Sequence, residues 1–422
     1  MTVFALVDCN NFYVSCERVF NPGLENKPVI VLSNNDGCAV ARSNEVKDLG
    51  VTLGAAIFKE QALIKKHDIQ VFSSNYALYG DMSNRVVHVL SDFAPNLEVY
   101  SIDESFLDLT DVRQNELTDL GLEIKEKVKK HTGLPVSVGI AKTKTLAKIA
   151  AGIAKKSKKA GGVLDLCNPI HLDRALETTS VDCVWGVGRR FAKFLKVYGI
   201  KNALLLRDCD TEFIRKKMGI NGVRLIEELR GNSCYPLDTN PVQKKNITVS
   251  RTFGRAIRTF DELAEAITAY ATRGAEKLRK NGLIADTISV FIMTSRFDRE
   301  TFYHKTEIVR LPASSNNSTE IIAAAIQGLR KIYRQGCLYK KAGLFFRELK
   351  SENMVQQFMF DSVDRAKTKR LMDSLDTING LMGRNTLKYA ASGLSGKKQW
   401  KTAFKYKSPD YTTKWDQLPK VT

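Results

Sequence analysis

The chain has 422 residues, 43% hydrophobic and 26% charged, with 65 Lys and Arg against 46 Asp and Glu for a net charge of +19. That length exceeds one ordinary core and calls for about two to four domains, and the absence of any run of about 18 apolar residues excludes a membrane-spanning helix. So large a positive excess suits a polyanion, either nucleic acid or a membrane surface, and the lack of a basic amphipathic anchor favours nucleic acid.

The opening segment MTVFALVDCNNF has no basic flank and carries an aspartate inside its apolar stretch, so it reads as a buried strand and not as a signal peptide. Apolar runs over residues 2 to 8, ending in Asp8, and over Pro28 to Leu32 predict an α/β opening. The pattern turns helical and loop-rich between about 40 and 75. A third strand is expected over Leu97 to Leu109 and a fourth over Leu134 to Ile140. The helix that follows carries Lys142, Lys144, Lys148, Lys155, Lys156, Lys158 and Lys159, with no acidic residue from 142 to 160. Such a run is usually a solvated face, but its place directly after a strand makes phosphate contact an equal reading. Gly161-Gly162 ends this unit, and residues 169 to 238 read as short helices with glycine turns.

A linker near Pro241 to Lys245 precedes strand and helix signals that continue to about 350. Residues 241–350 hold 20 Lys and Arg against 10 Asp and Glu, more than half of the chain's excess charge. A DNA-gripping module is expected there, with solubility as the plain alternative. Beyond 350 the chain is polar, weakly periodic and expected to be a tail with a few anchoring aromatics. The eight cysteines form no CxxC pair and no Cys/His cluster of zinc spacing, which fits a reducing cytoplasm in which they act as small hydrophobes.

Asp8, Asp103 and Glu104 end apolar strands, where carboxylates are costly unless a cation compensates them. Mg²⁺ suits such oxygen ligands, and two ions about 3.5–4 Å apart would activate an attacking hydroxyl and neutralise a leaving pyrophosphate. Consecutive strand residues point to opposite faces, so Asp103 and Glu104 can share a metal site only if the backbone bends or bulges there. By themselves the three are open to the plainer reading of strand-end acids.

The segments DCNNFYVSCE and YSIDESF, followed by VSVGIAKTKTLAKIAAGIAKK, resemble the metal-binding and palm segments of Y-family DNA polymerases over roughly residues 1 to 350. The resemblance implies an α/β multi-domain right hand: a palm over 1–168 with a fingers insertion at about 26–75, a thumb over 169–240, a little finger over 241–350 and a partner-binding tail over 351–422. It makes Asp8, Asp103 and Glu104 the catalytic metal ligands for two Mg²⁺, with the backbone carbonyl of Cys9 as a further ligand. Tyr13 matches the steric gate that excludes ribonucleotides, the N–H groups of Asn11 and Phe12 face the triphosphate, and Lys155 reaches it with Lys148 nearby. In ARSNEVKDLGV the family's tyrosine and arginine are replaced by Asn44 and Lys47, which leaves Lys47 and Arg42 as triphosphate contacts. Taken without the resemblance, a Phe-Tyr pair such as Phe12 and Tyr13 is more often a pair of core aromatics.

Asp182 to Leu206 has the pattern of a helix-hairpin-helix, in which Gly186, Val187 and Gly188 let backbone amides approach a DNA phosphate beside Arg189 and Arg190. SNNDGCAVARSNEVKDLGV, FSSNYALYGDMSNRV and SPDYTTKW resemble the SOS-mutagenesis branch of the family more than its shorter DinB-type members. That branch implies error-prone synthesis past lesions on primer-template DNA from deoxynucleoside triphosphates, with a UmuD-type processed dimer and a RecA filament as partners. Gln356, Gln357, Phe358, Met359 and Phe360 resemble a sliding-clamp-binding pentapeptide, departing from it at the second position, where Gln357 stands for the usual leucine, with Phe358 at the third. The rivals are a DinB-type polymerase and a DNA-binding scaffold without chemistry.

Overall fold

A computed structural model describes residues 2–239, 243–354, 363–393 and 400–419. They fall into two compact units. The first comprises described residues up to 33, from 37 to 239 and from 406 to 419, and the second comprises 34–36 and the described residues between 243 and 405.

The first unit contains β1 (Phe4–Cys9), β2 (Val29–Leu32), β3 (Ala39–Arg42), β4 (Gln70–Ser73), β5 (Leu97–Val99), β6 (Glu104–Asp108), β7 (Val136–Ala141) and β8 (Val163–Asp165). Five of them form a sheet in the order β5-β6-β1-β7-β8, with β1 antiparallel to both neighbours and β7 parallel to β8. β1 is apolar without alternation because both of its faces are covered. Ala5, Val7 and Cys9 face a core shared with the helices Phe12–Phe20, Tyr76–Leu90 and Leu117–Thr132. Phe4 and Leu6 face another, formed with Phe106 and the helix Lys144–Ala154. Asp8 continues the Phe4 and Leu6 row, so strand alternation alone aims it at the lysine-bearing side. Gly139 permits the close contact there, since a Cβ at this position would strike the backbone of Ala147 and Ala151. A smaller sheet, β3-β2-β4, packs Ile30, Leu32, Val46 and Ile69. The helices Pro169–Thr178, Arg189–Val197, Ala203–Arg207 and Thr211–Leu229 complete the second core with Leu176, Leu195, Leu206 and Leu229.

In the second unit β9 (Ile247–Ile257), β10 (Leu283–Met293), β11 (His304–Ser315) and β12 (Tyr339–Ser351) form an antiparallel sheet in the order β11-β10-β12-β9. The helices Phe260–Lys280 and Ser318–Ile332 pack on the face carrying Ile288, Val290, Leu344 and Phe346. Arg310, Thr287 and Arg347 stand in register across three strands, a step out of phase with that buried row and therefore on the opposite face.

Three expectations are corrected. Leu97 to Leu109 is not one strand, because a bend at 101–103 separates β5 from β6. Lys144 is not a solvated or phosphate-facing lysine: it is 3% exposed, paired with Glu98, and donates to the Pro236 carbonyl at 2.8 Å. Nor is the segment after 350 a weakly structured tail: among the described residues its anchoring side chains pack on the chain's own folded units. The helix Arg365–Leu381 buries Met372 and receives a two-pronged Arg279–Asp376 pair at 2.7 and 2.8 Å, and Trp400 meets Tyr270 edge-on at 5.8 Å. Residues 406–419 return to the first unit. The segment's anchors are single side chains whose partners lie far away in sequence, so they create no periodic pattern.

Candidate active site

Asp8 closes β1 and Glu104 opens β6, and the antiparallel register sets them directly opposite, so both side chains leave the sheet on one face. Asp103 lies in the bend just before β6. Ser101 Oγ donates to Asp103 Oδ1 at 2.5 Å and accepts the N–H groups of Asp103 and Glu104 at 3.3 and 3.0 Å. This turn breaks the alternation that would have sent Asp103 to the far face, and the Asp103 carbonyl accepts from the Cys9 N–H at 2.8 Å.

Lys155 Nζ lies 2.7 Å from Asp8 Oδ1, and Lys148 Nζ lies 2.6 Å from Glu104 Oε2. Burial pushes the Asp8 carboxyl above its ordinary range, Lys155 pulls it back, and the charge of Asp103 pushes it up again. With Asp8 and Glu104 each turned onto a lysine, no three His, Cys, Asp or Glu side chains form a converged cluster among the described residues. The donor set still fits a hard divalent cation, because three carboxylates and the Cys9 carbonyl are all oxygen and the burial of Asp8 demands positive charge. The Cys9 thiol faces the core, where burial pushes it up and keeps it protonated.

An open cleft of about 410 Å³ adjoins the carboxylates. Arg42, Lys47, Asp103 and Lys155 supply its charged lining, Val40, Ala41, Leu53 and Ile102 apolar lining, and Cys9, Asn11, Phe12 and Tyr13 also border it. Asn11 is left-handed at φ 48° and starts the helix Phe12–Phe20 without spending its side chain on a cap. That side chain instead accepts from Lys47 Nζ at 2.6 Å and donates to Asn44 Oδ1 at 3.1 Å. A helix beginning at the cleft offers its N-terminal N–H groups to an anion. Burial, then the neighbouring Lys155 and Arg42, hold the Lys47 amine below its ordinary range, so the cations crowd one another in a way that a bound polyphosphate would relieve. Arg42 also donates to the Val51 carbonyl.

Lys148 pairs with Glu104 and does not line the cleft. It lies 4.5 Å from the Tyr100 ring centre, and Trp185 Nε1 donates to Tyr100 Oη at 3.0 Å. Trp185 leads into the glycine turn, where Gly186 has φ 87°, Val187 is buried and Gly188 starts the helix Arg189–Val197. Arg189 and Arg190 are exposed there. Residues 356–360 lie outside the described residues. Sequence reasoning missed the lysine–carboxylate pairs, the Trp185–Tyr100 link and the Ser101 turn. Only the last had a local signal, a serine two residues before an aspartate.

The impB/mucB/samB family matches residues 7–152 and its C-terminal domain matches residues 244–359, while a domain of unknown function matches residues 369–421. The chain is 44% identical to protein UmuC of Salmonella typhimurium, over 99% of this chain and all of that one. It is 40% identical to protein MucB of Escherichia coli over the full length of both, and 28% identical to DNA polymerase IV 2 of Bacillus subtilis over 92% and 94%. Among solved structures it resembles a Y-family DNA polymerase chimera, with a TM-score of 0.65, 22% identity and coverage of 84% of this chain and all of that one. It also resembles an insertion ternary complex of Dbh DNA polymerase, with a TM-score of 0.55, 22% identity and coverage of 82% and 98%. No helix among the described residues is long and apolar enough to cross a membrane. Opposed strand-end carboxylates beside a cationic cleft, this fold and these full-length identities agree, and the chain belongs to the impB/mucB/samB family, with the fold of Y-family DNA polymerases, nearer to UmuC than to DNA polymerase IV.

Proposed function

We propose that this polymerase extends a primer opposite damaged template by two-metal phosphoryl transfer, with Asp8, Asp103, Glu104 and the Cys9 carbonyl holding two Mg²⁺. The observation that carries this reading is the register pair Asp8–Glu104 beside Asp103, at the edge of a cleft with three crowded cations. When bound, the ions supply activation of the primer hydroxyl and neutralisation of the pyrophosphate. The chain's own residues do the rest. Lys155 and Lys148 neutralise the carboxylates of the free protein, and Lys155 turns to the triphosphate when a nucleotide enters. Lys47, Arg42 and the N–H groups of Asn11 and Phe12 complete the triphosphate grip, oriented through Asn44. Tyr13 stands where a ribose 2′-hydroxyl would go, and Val40, Leu53 and Ile102 offer apolar surface to a base pair.

Gly186, Val187 and Gly188 with Arg189 and Arg190 hold a DNA phosphate without reading sequence, and the Arg310–Arg347 face of the second unit adds backbone grip. The eight free cysteines suit a reducing cytoplasm. The likeness to UmuC extends the proposal to a UmuD-type processed dimer, a RecA filament and, through residues 356–360, the sliding clamp. Primer extension past an abasic site, with and without Mg²⁺ and with and without the UmuD-type and RecA-type partners, tests this. Metal-dependent extension is expected, whereas DNA binding without extension under every condition would leave only the scaffold reading.

A further inference from the structure

Tyr13 is not held by its own helix alone. Its ring stacks on that of Tyr79, with centroids 4.2 Å apart and planes 16° from parallel. Tyr79 is fully buried, and its hydroxyl donates to Glu17 Oε1 at 2.7 Å. Tyr13 and Glu17 are four residues apart on one helix and lie on one face of it, so Tyr79 clamps that face at two points. The same Glu17 oxygen accepts a second bond, 3.1 Å from Ser408 Oγ, across 391 residues of sequence. Ser408 is fixed in turn by Asn75, whose Nδ2 donates to Ser408 Oγ at 3.0 Å and to the Pro409 carbonyl at 3.1 Å.

The chain around Ser408 is a docked strap. Its Tyr406 N–H donates to Ser73 Oγ at 2.9 Å, the Ser73 N–H donates to the Tyr406 carbonyl at 3.0 Å, and Tyr411 stacks on Phe20 at 4.9 Å. Glu17 is 1% exposed, and burial pushes its carboxyl above the ordinary range against the pull of the two hydroxyls. An apolar residue would fill this place at lower cost. A buried polar trio instead specifies one position for the ring it holds, because each alternative leaves a buried group unpartnered.

We infer that Tyr79, Glu17 and the strap residue Ser408 are positioning residues for Tyr13, so that the C-terminal segment sets how strictly the nucleotide site rejects ribonucleotides. This rests on the reading of Tyr13 as the sugar-excluding side chain. The ring of Tyr79 backs the ring of Tyr13, and its hydroxyl keeps the backing plane from sliding. Loss of either hydroxyl partner of Glu17 lets the pair shift, which opens room for a 2′-hydroxyl while the carboxylates and triphosphate cations stay in place.

The test uses the full chain and measures kcat/KM for a deoxynucleotide and for the matching ribonucleotide. Tyr79→Phe and Ser408→Ala should each lower the deoxy-to-ribo ratio by about tenfold, as expected for a sub-ångström misplacement of a discriminating group. Deoxynucleotide kcat should stay within about twofold, because the metal and triphosphate contacts are untouched. Glu17→Gln keeps an acceptor for both hydroxyls and should retain the wild-type ratio, whereas Glu17→Leu should lower it. In a Tyr13→Ala background Ser408→Ala should change the ratio no further, the non-additivity expected of groups acting through one another. Melting temperatures identify any variant that fails to fold, in which case the Ser408 pair of measurements decides. If Tyr13→Ala lowers the ratio but Ser408→Ala and Tyr79→Phe leave it at the wild-type value, the assembly is only core packing and the inference fails. If Tyr13→Ala itself leaves the ratio unchanged, the reading of Tyr13 fails and takes the inference with it.

Discussion

Asp103 is held by a serine turn at the mouth of a cationic cleft, and removing its charge should silence the chemistry without loosening the DNA. Asp103→Asn is expected to lower incorporation by about 10²- to 10³-fold or more, the range for loss of one preorganised charge, with primer-template affinity nearly unchanged. Single-turnover incorporation at saturating Mg²⁺, alongside a binding titration, checks both halves. Tyr13→Ala should admit ribonucleotides and lower deoxynucleotide use much less, because exclusion by clash is lost with the ring. Incorporation from ribonucleotide pools measures this directly. Asp8 supplies a pH signature. Its carboxyl is raised by burial, and under the proposed two-metal reading it must be ionised to bind Mg²⁺, so protons should compete with Mg²⁺ at a higher pH than at an ordinary aspartate. The Mg²⁺ needed for half-maximal binding should therefore rise as the pH falls through that raised value. Lys155→Ala removes the cation that pulls the carboxyl down, so the acid limb should move to still higher pH. Mg²⁺ titrations of the nucleotide-free protein across pH read the shift.

The central strand and the lysine-bearing helix form the element on which the site depends. β7 lies so close to the helix Lys144–Ala154 that Gly139 has no room for a methyl group beside the backbone of Ala147 and Ala151. Gly139→Ala should cost about 1–3 kcal/mol, the usual penalty of overpacking, and thermal unfolding of the variant measures it. If the helix moves outward to make room, Lys148 and Lys155 move away from Glu104 and Asp8, so incorporation should fall along with stability. The helix is further pinned at its start, where Thr143 accepts from the Leu146 N–H at 3.2 Å and the buried Glu228 accepts from the Thr145 N–H at 3.0 Å. Lys148 on the helix and Lys155 at its C-cap thus meet two carboxylates on adjacent strands, because the start of that helix and its contact with Gly139 are set by packing.

Over the whole molecule, the segment beyond residue 350 belongs to the folded units. A chain cut after Leu349 would be expected to keep extending short primers if that segment were a separate tail. The structure points the other way: such a cut removes the end of β12, the helix with Met372 and Asp376, Trp400, and the strap with Ser408 and Tyr411. It leaves Arg279, Tyr270 and Glu17 with buried surface or charge no longer matched. Losing one large buried aromatic alone costs about 3–5 kcal/mol, so the truncated chain should melt at least about 5 °C lower. Scanning calorimetry of the two chains decides it, and an unchanged melting temperature would restore the independent tail.

What the sequence by itself determined is what local chemistry can encode: a buried first strand ending in Asp8, an acidic pair at the start of another, a lysine run, a glycine turn with arginines, and a basic later module. These follow from composition and short-range periodicity, which report burial and secondary structure without reference to the rest of the chain. Only the tertiary structure decided that Asp8 faces Glu104, that Lys144 is buried on Glu98 while Lys148 and Lys155 sit on the carboxylates, and that Ser408 closes on Glu17. Each of these is a contact between residues far apart in sequence, fixed by strand register and by the packing of a helix or strap onto a sheet. A single polar residue in such a place has the same local appearance as a solvated one, because its partner leaves no mark on the neighbouring sequence.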